Sequence, residues 1–148
     1  MTECAAPGKK AVIADDDAFF LMALRTILTA TLGFTEVVET ASLDEATEVL
    51  SERNDISLAL FDLQMPGMSS AASLAAVREC FPKLRVAIVS GSQRRSDILA
   101  ALEAGVHGYV PKSLGPAELS RALQLVVDGT VYVPPLIAEL PAADAIAC

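Results

Sequence analysis

The chain has 148 residues, of which 53% are hydrophobic and 20% are charged, which predicts one globular domain and excludes a disordered chain. Its net charge is −8, from 19 acidic and 11 basic residues. Because this charge repels phosphate backbones, we expect no binding of nucleic acid by this chain alone.

Nothing in the sequence predicts secretion or insertion into a membrane. The apolar runs end well before the ~18 residues that a membrane span requires, and the N-terminus lacks the apolar core of a signal peptide. The 3 cysteines, Cys4, Cys80 and Cys148, are widely spaced and form no CxxC pattern, which favours reduced thiols over disulfides or zinc. We therefore expect a cytoplasmic protein without membrane contact.

Short apolar segments alternate five times with amphipathic segments of helical period. The predicted strands are Lys10–Ala14, Phe34–Glu39, Ser57–Phe61, Arg85–Val89 and His107–Val110. The predicted helices are Ala18–Leu32, Ser42–Leu50, Ser70–Cys80, Arg94–Ala104 and Pro116–Gly129. Their ends carry the expected signals: Ser42 and Glu45 form a capping box, Gly33 and Gly105 stop two helices, and Pro116 occupies a first turn.

Strands that are apolar on both faces, each followed by a helix, predict a parallel sheet with helices on both sides. Right-handed crossovers then give a doubly wound, flavodoxin-like α/β fold of five strands in the order 2-1-3-4-5. We expect an N-terminal tail at residues 1–8, the domain at 9–133, and a linker or tail at 134–148. Sheets of this kind bind ligands at the carboxyl ends of the first and third strands.

Functional side chains follow four of the predicted strands. They are Asp15, Asp16 and Asp17 after the first, Asp62 after the third, Ser90 after the fourth, and Lys112 after the fifth. Since the first and third strands are neighbours, Asp15, Asp16 and Asp62 should converge, and their repulsion calls for a cation. Hard oxygen ligands with open positions suit Mg²⁺.

A carboxylate beside Mg²⁺ and a lysine can attack phosphorus and form an acyl phosphate. Asp62 by itself could be an ordinary carboxylate at the end of a strand. Together with Asp15, Asp16, Ser90 and Lys112, it predicts a site for phosphoryl transfer. Asp17 reads as a solvated acid at the start of a helix rather than as a ligand.

Four segments carry a resemblance to a known family: VIADDD (Val12–Asp17), LALFDLQMPGM (Leu58–Met68), VAIVSGS (Val86–Ser92) and GVHGYVPKS (Gly105–Ser113). From about Lys9 to Val133 the chain is similar to the receiver domain of two-component response regulators. Within that family it most resembles the NarL/FixJ (LuxR-type) group, because the same segments are followed by ELSRALQLVVDGTVYVPP.

The resemblance implies a role for each matching residue. Asp62 would accept a phosphoryl group from the phosphohistidine of a sensor histidine kinase or a phosphotransfer protein. Asp16 would bind Mg²⁺ directly and Asp15 largely through water, with the backbone carbonyl of Gln64 as a further ligand. Asp62 itself would complete the metal site.

The resemblance also implies a switch. Ser90 would bond to the phosphoryl oxygen and Lys112 would pair with the phosphoryl group. Tyr109 would be an aromatic switch that turns inward when Ser90 moves; this role rests only on the resemblance, and an ordinary half-buried strand aromatic is the alternative. The family would make this chain a phosphoacceptor rather than an enzyme, with at most slow self-phosphorylation and self-dephosphorylation.

The sequence departs from the family pattern at four positions. Ser70 and Gly91 stand where glycine and alanine are usual, and Ser113 stands where proline is common in the wider superfamily. Asp17 stands where histidine or another polar residue is common, which adds one charge to the acidic cluster. The glycine at residue 91 predicts a looser segment after the fourth strand.

The output of the predicted switch is left open. Receivers of this group usually precede a helix-turn-helix DNA-binding domain, so the resemblance implies a transcription regulator whose output domain lies outside this chain. A homodimer and a stand-alone receiver acting in a phosphorelay or as an interaction module are further alternatives. The residues also allow a hydrolase of the haloacid dehalogenase type or a flavodoxin-like electron carrier, although both usually place their binding groups at the first strand.

Overall fold

The structure, a computed structural model, describes residues 9–64, 73–92 and 94–134. Its five parallel strands form one sheet in the order β2-β1-β3-β4-β5, which confirms the predicted doubly wound α/β topology. The strands are β1 (Lys9–Ala14), β2 (Phe34–Thr40), β3 (Leu58–Phe61), β4 (Arg85–Ser90) and β5 (Gly108–Pro111). The reversal of strand order lies between β1 and β3, where this fold places its ligands.

Five helices connect and follow the strands. They are α1 (Ala18–Thr26), α2 (Leu43–Glu52), α3 (Leu74–Cys80), α4 (Arg95–Glu103) and α5 (Pro116–Val127). The predicted capping box is present at α2, where Glu45 N–H donates to Ser42 Oγ and Ala41 N–H donates to the Glu45 carboxylate. Among the described residues, no helix is both long and apolar enough to cross a membrane.

The first predicted helix differs from a regular α-helix in its last turn. Residues Ile27–Thr31 form a π-helical turn, closed by Leu32 N–H donating to Ile27 O. The hydroxyl of Thr29 bonds back to Arg25 O, and such back-bonding disturbs regular helical hydrogen bonding. Gly33, with φ +80°, then ends the segment as predicted. The predicted start of the third helix at Ser70 lies outside the described residues, as does the Pro66–Gly67 turn.

The core consists of two apolar layers, one on each face of the sheet. All four residues of β3 are buried, and they alternate between the layers. Leu58 and Leu60 pack with α1 and α5, whereas Ala59 and Phe61 pack with α2, α3 and α4. β3 is therefore the central strand that the continuous apolar sequence predicts.

Backbone pairing brings the ends of the strands into line. Ala14 at the end of β1 pairs with Phe61 at the end of β3, and Asp62 N–H donates to Ala14 O at 2.8 Å. At the ends of the next strand pair, β4 and β5, Lys112 N–H donates to Ser90 O at 2.8 Å. These bonds place the residues that follow β1, β3, β4 and β5 at one edge of the sheet.

The residues after α5 return along the edge of β5. Tyr132 pairs in parallel with Gly108, its N–H donating to His107 O and its carbonyl accepting from Tyr109 N–H. The guanidinium of Arg85 donates to Val126 O and Thr130 O, which fixes the turn between α5 and this segment.

Replacement by alanine should have opposite effects on the free energy of unfolding at Gly108 and at Gly91. A Cβ at Gly108 would lie 2.7 Å from the methyl Cγ2 of Val126, a fully buried side chain that has no room to move. A Cβ at Gly91 would meet nothing within 4 Å. We expect Gly108→Ala to lower the free energy of unfolding by about 1–3 kcal/mol. Gly91→Ala should leave it equal or raise it by about 0.4–1 kcal/mol. Urea denaturation checks both values, and equal effects of the two substitutions would contradict this account of packing.

His107 predicts a dependence of stability on pH. Its ring Nδ1 accepts from Val86 N–H at 3.1 Å, so the imidazole must be neutral. The pKa of His107 is lowered from 6.5 to about 4, chiefly by burial and also by the cations of Arg85 and Arg78. The unfolded chain therefore binds a proton at a higher pH than the native chain does.

The free energy of unfolding should thus fall as the pH drops from 6.5 toward about 4, because protonation of His107 favours the unfolded chain. The measurement is urea denaturation across this range for the wild type and for His107→Gln, which keeps every other titrating group. We expect the difference between the two proteins to change with pH only in this window. Parallel pH profiles would show that His107 is not the group responsible.

Candidate functional site

Three consecutive aspartates follow β1 and have three different environments. Asp15 is 1% exposed, its N–H donates to Thr40 O, and its Oδ1 accepts from Asp17 N–H at 2.9 Å. Asp16 is exposed. Asp17 caps α1, because its Oδ1 accepts from the N–H groups of the next helical residues, Phe19 and Phe20. Asp17 therefore lies where the sequence predicts an acid at the start of a helix.

Asp62 follows β3 and lies beside the first two aspartates. It is 5% exposed, its Oδ1 accepts from Gln64 N–H at 3.2 Å, and its Oδ2 accepts from Lys112 Nζ at 3.3 Å. Asp15, Asp16 and Asp62 each offer one carboxylate oxygen, and these oxygens lie within 4.8 Å of one another. The structure thus brings together the three carboxylates that the sequence predicts to converge.

Lys112 is the cation of this cluster. Its Nζ lies 2.9 Å from Asp15 Oδ2 and 3.3 Å from Asp62 Oδ2, and it sits 4.8 Å from the centre of the Phe20 ring. Burial lowers the pKa of Lys112, but the two carboxylates outweigh burial and the net pKa is raised. The ammonium is therefore charged, and it is held by two carboxylates and an aromatic face.

The Lys112 ammonium does not fully compensate the charge and the hydrogen-bonding capacity of the three carboxylates, as the environment of Asp15 shows. Burial raises the pKa of Asp15, although the nearby Lys112 opposes this shift. Its buried Oδ2 has Lys112 as an ionic neighbour, but the angle of that contact does not make a hydrogen bond. Three carboxylates and a buried oxygen without a hydrogen bond fit a hard divalent cation such as Mg²⁺.

Ser90 is the last residue of β4, and Tyr109 lies within the neighbouring strand β5. Both side chains are fully buried. Ser90 Oγ accepts from Ser92 N–H at 3.0 Å, and the Tyr109 hydroxyl donates to Ser92 O at 2.8 Å. Tyr109 is thus turned inward, and burial raises its pKa. Tyr109 is completely buried, whereas an ordinary strand aromatic was expected to be half-buried.

Three residues of this region were not predicted from the sequence. Phe20 belongs to the apolar stripe of α1, and nothing in that stripe shows that its ring faces Lys112. Ser92 and Asp97 bond to each other across the start of α4, with Ser92 Oγ donating to Asp97 Oδ2 at 2.5 Å. A serine followed five residues later by an acid is not a standard capping signal, because a capping box has a spacing of three.

Comparison with known proteins agrees with this arrangement. Residues 11–124 match the family described as the response regulator receiver domain. The chain belongs to this family. The receiver domain family is one of phosphoacceptors rather than of classical enzymes. The receiver domain described here therefore has the fold of its family, with an acidic cluster that can hold a metal ion.

Individual relatives place the receiver among NarL and LuxR-type response regulators. It is 36% identical to the glycerol metabolism activator of Pseudomonas putida over 85% of this chain and 57% of that protein. It is 28% identical to the nitrate/nitrite response regulator protein NarL of Escherichia coli K12 over 90% of this chain and 61% of that protein. The chain thus spans 57% and 61% of the lengths of these two relatives.

A solved structure gives the same grouping. The receiver superimposes on a LuxR-family two-component response regulator from Aurantimonas sp. SI85-9A1 with a TM-score of 0.81 and 27% identity. The match covers 95% of this chain and 99% of that one. The similarity therefore extends over nearly the whole receiver and is not limited to the acidic edge.

The different environments of Asp16 and Asp17 predict different effects on metal binding. Asp16→Asn and Asp17→Asn each remove one negative charge, but only Asp16 belongs to the cluster of converging oxygens. We expect Asp16→Asn to weaken Mg²⁺ binding at least about tenfold, whereas Asp17→Asn should keep both the helix cap and nearly all of the affinity. Isothermal titration calorimetry at physiological ionic strength measures both. Comparable losses would overturn the assignment of Asp16 as a ligand.

Proposed function

We propose that this chain is the phosphoacceptor domain of a two-component response regulator, in which Asp62 receives a phosphoryl group from a phosphohistidine. The donor would be a sensor histidine kinase or a phosphotransfer protein. The observation that carries the proposal is the position of Asp62 at the end of the central strand. There two further carboxylates have oxygens within 4.8 Å and the Lys112 ammonium is at 3.3 Å.

The proposed reaction is a displacement at phosphorus. A carboxylate oxygen of Asp62 forms a bond to phosphorus, the bond between phosphorus and the imidazole nitrogen breaks, and its electron pair stays with the imidazole. Asp16, Asp15 and the backbone carbonyl of Gln64 would hold Mg²⁺ with Asp62. When bound, Mg²⁺ would supply positive charge that neutralises the phosphoryl oxygens.

Lys112 supplies the second positive charge of the proposed reaction. Its ammonium is already held between Asp15 and Asp62, so no large movement is needed for it to pair with a phosphoryl group on Asp62. Such preorganised charge stabilises a transferring phosphoryl group more than a mobile side chain would. The raised pKa of Lys112 keeps this charge present at neutral pH.

Ser90 and Tyr109 would report the phosphorylation. Ser90 Oγ accepts from Ser92 N–H, and its own hydroxyl proton could be donated to a phosphoryl oxygen. Tyr109 lies on the neighbouring strand β5. Its hydroxyl donates to the carbonyl of Ser92, the residue whose N–H bonds to Ser90. A shift of Ser90 toward Asp62 would therefore favour one position of Tyr109 and change the surface formed by α4, β5 and α5.

The output that we propose is the control of transcription by the full-length protein. The relatives are named as an activator and as a nitrate/nitrite response regulator, and this chain spans 57% and 61% of their lengths. A helix-turn-helix DNA-binding domain would fill the remainder, and DNA would be bound there rather than by this chain, whose net charge is −8. The protein would act in the cytoplasm, where the switched surface could also form a homodimer.

Phosphorylation of Asp62 can be tested directly. Mg²⁺ with acetyl phosphate should produce one acid-stable but hydroxylamine-sensitive phosphoryl adduct per chain, which peptide mass spectrometry should locate at Asp62. Asp62→Asn should give none, because an amide is not a nucleophile toward phosphorus. Asp17→Asn serves as the matched control and should be labelled like the wild type.

Two results would contradict the proposal. One is an unmodified wild-type protein, and the other is an equal adduct in Asp62→Asn. Continuous release of phosphate from phosphomonoesters without stoichiometric labelling would instead indicate a hydrolase of the haloacid dehalogenase type.

A further inference from the structure

Ser92 joins three elements of the receiver through its own polar groups. Its N–H donates to Ser90 Oγ at 3.0 Å, and its carbonyl accepts from the Tyr109 hydroxyl at 2.8 Å. Its Oγ donates to Asp97 Oδ2 at 2.5 Å and accepts from Arg94 N–H at 3.3 Å. A single residue thus contacts the end of β4, the aromatic side chain of β5 and the first turn of α4.

Asp97 is held firmly enough to fix Ser92. Its side chain is 20% exposed and lies in the first turn of α4, next to Ile98, which is fully buried in the core. The Ser92 hydroxyl lowers the pKa of Asp97, so the carboxylate is ionised and the bond is charge-assisted. Arg94 also lies 3.2 Å from Asp97, but its side chain is 77% exposed, and solvent screens that pair.

The neighbouring residue does not supply this restraint. Gly91 lies between Ser90 and Ser92, and a Cβ placed on it would meet no atom within 4 Å. The looser segment that the sequence predicts from Gly91 is therefore restrained one residue later. Without the bond between Ser92 and Asp97, the Ser92 hydroxyl would keep only its longer bond from Arg94 N–H at the start of α4, at 3.3 Å, among the contacts described.

We propose that Ser92 and Asp97 are positioning residues for the phosphorylation switch, acting through Ser90 and Tyr109. The inference rests on the function proposed above for Asp62. Ser92 directs one lone pair of Ser90 Oγ toward its own N–H, so that the hydroxyl proton remains for a phosphoryl oxygen. Its carbonyl holds the Tyr109 hydroxyl inward, and Asp97 fixes Ser92 to α4.

The test compares variants that remove the Ser92–Asp97 bond with variants that keep it. Ser92→Ala and Asp97→Ala remove it, Ser92→Thr keeps a hydroxyl, and Asp97→Asn keeps an acceptor without the charge. Asp44→Ala is the matched control, since Asp44 is an exposed acid in the first turn of α2. Arg94→Gln tests whether Asp97 acts through the exposed ion pair instead.

The first readout is the affinity for beryllofluoride in the presence of Mg²⁺, measured beside the affinity for Mg²⁺ alone. Each alanine variant should weaken beryllofluoride binding about three- to tenfold, because a charge-assisted hydrogen bond that orients Ser90 is lost. Mg²⁺ affinity should not change. Ser92→Thr should match the wild type, Asp97→Asn should lie between the wild type and Asp97→Ala, and both control variants should be unaffected.

The second readout requires no phosphoryl mimic. Amide exchange of Ser92 and the ring resonances of Tyr109, measured by NMR in the free protein, should change in the alanine variants. The double variant should be no worse than either single variant, because both remove the same bond. If the wild type binds no beryllofluoride, the proposed function fails, and this second readout still decides whether the pair positions Ser92.

Unchanged beryllofluoride affinity in the alanine variants would overturn the proposal, as would unchanged Ser92 exchange. An equal loss in Asp44→Ala would also overturn it, because the effect would then not depend on Ser92. If an alanine variant does not fold, Asp97→Asn decides, and wild-type values for both readouts in that variant would count against the positioning role.

Discussion

The contact on which the rest of the structure depends is the ammonium of Lys112 between the carboxylates of Asp15 and Asp62. Both carboxylates are almost fully buried, and buried charges are costly unless they are paired. The pairing requires β1 and β3 to end in register and β5 to deliver Lys112 from the other side of β4. The strand order 2-1-3-4-5 meets this requirement, because it places β3 beside β1 and leaves only β4 between β3 and β5.

The same concentration of charge explains why this edge is suited to phosphoryl chemistry. One ammonium cannot neutralise three carboxylates, and the raised pKa of Asp15 reflects a group that is buried without full compensation. A divalent cation would relieve that repulsion, and in the reaction that we propose a phosphoryl group would then meet two positive charges. The repulsion among the three carboxylates, which is unfavourable by itself, would therefore favour the binding of a divalent cation.

Much of this could be predicted from the sequence, because the relevant signals are local. A buried strand that ends in a carboxylate identifies Asp62, and the order of apolar segments gives the sheet and the convergence of Asp15 and Asp16. The contacts that were missed depend on tertiary packing: the Phe20 ring against Lys112, the bond between Ser92 and Asp97, and the complete burial of Tyr109. The π-helical turn after α1 was missed because periodicity does not distinguish it from an α-helix. The positions of the site residues are thus seen in the structure, whereas their roles in metal binding, phosphorylation and switching stay predictions, and Ser70 lies outside the described residues.

β5 connects the acidic edge to two separate parts of the surface. Lys112 follows its last residue, and Tyr109 on the same strand reaches α4 through Ser92. On the edge of the strand away from β4, Tyr109 N–H donates to Tyr132 O, so the segment after α5 is bonded to the backbone of the inward-turned aromatic. A Cβ placed at Gly108 would lie 3.6 Å from the Cβ of Tyr132, an ordinary packing distance, and the close approach that favours glycine there is the one to Val126 Cγ2 at 2.7 Å. β5 thus lies between the acidic edge and both α4 and the segment that contains Tyr132. Since Lys112 follows the strand and is three residues from Tyr109, we expect a displacement of either one to be accommodated by the other or by the contacts at Ser92 and Tyr132.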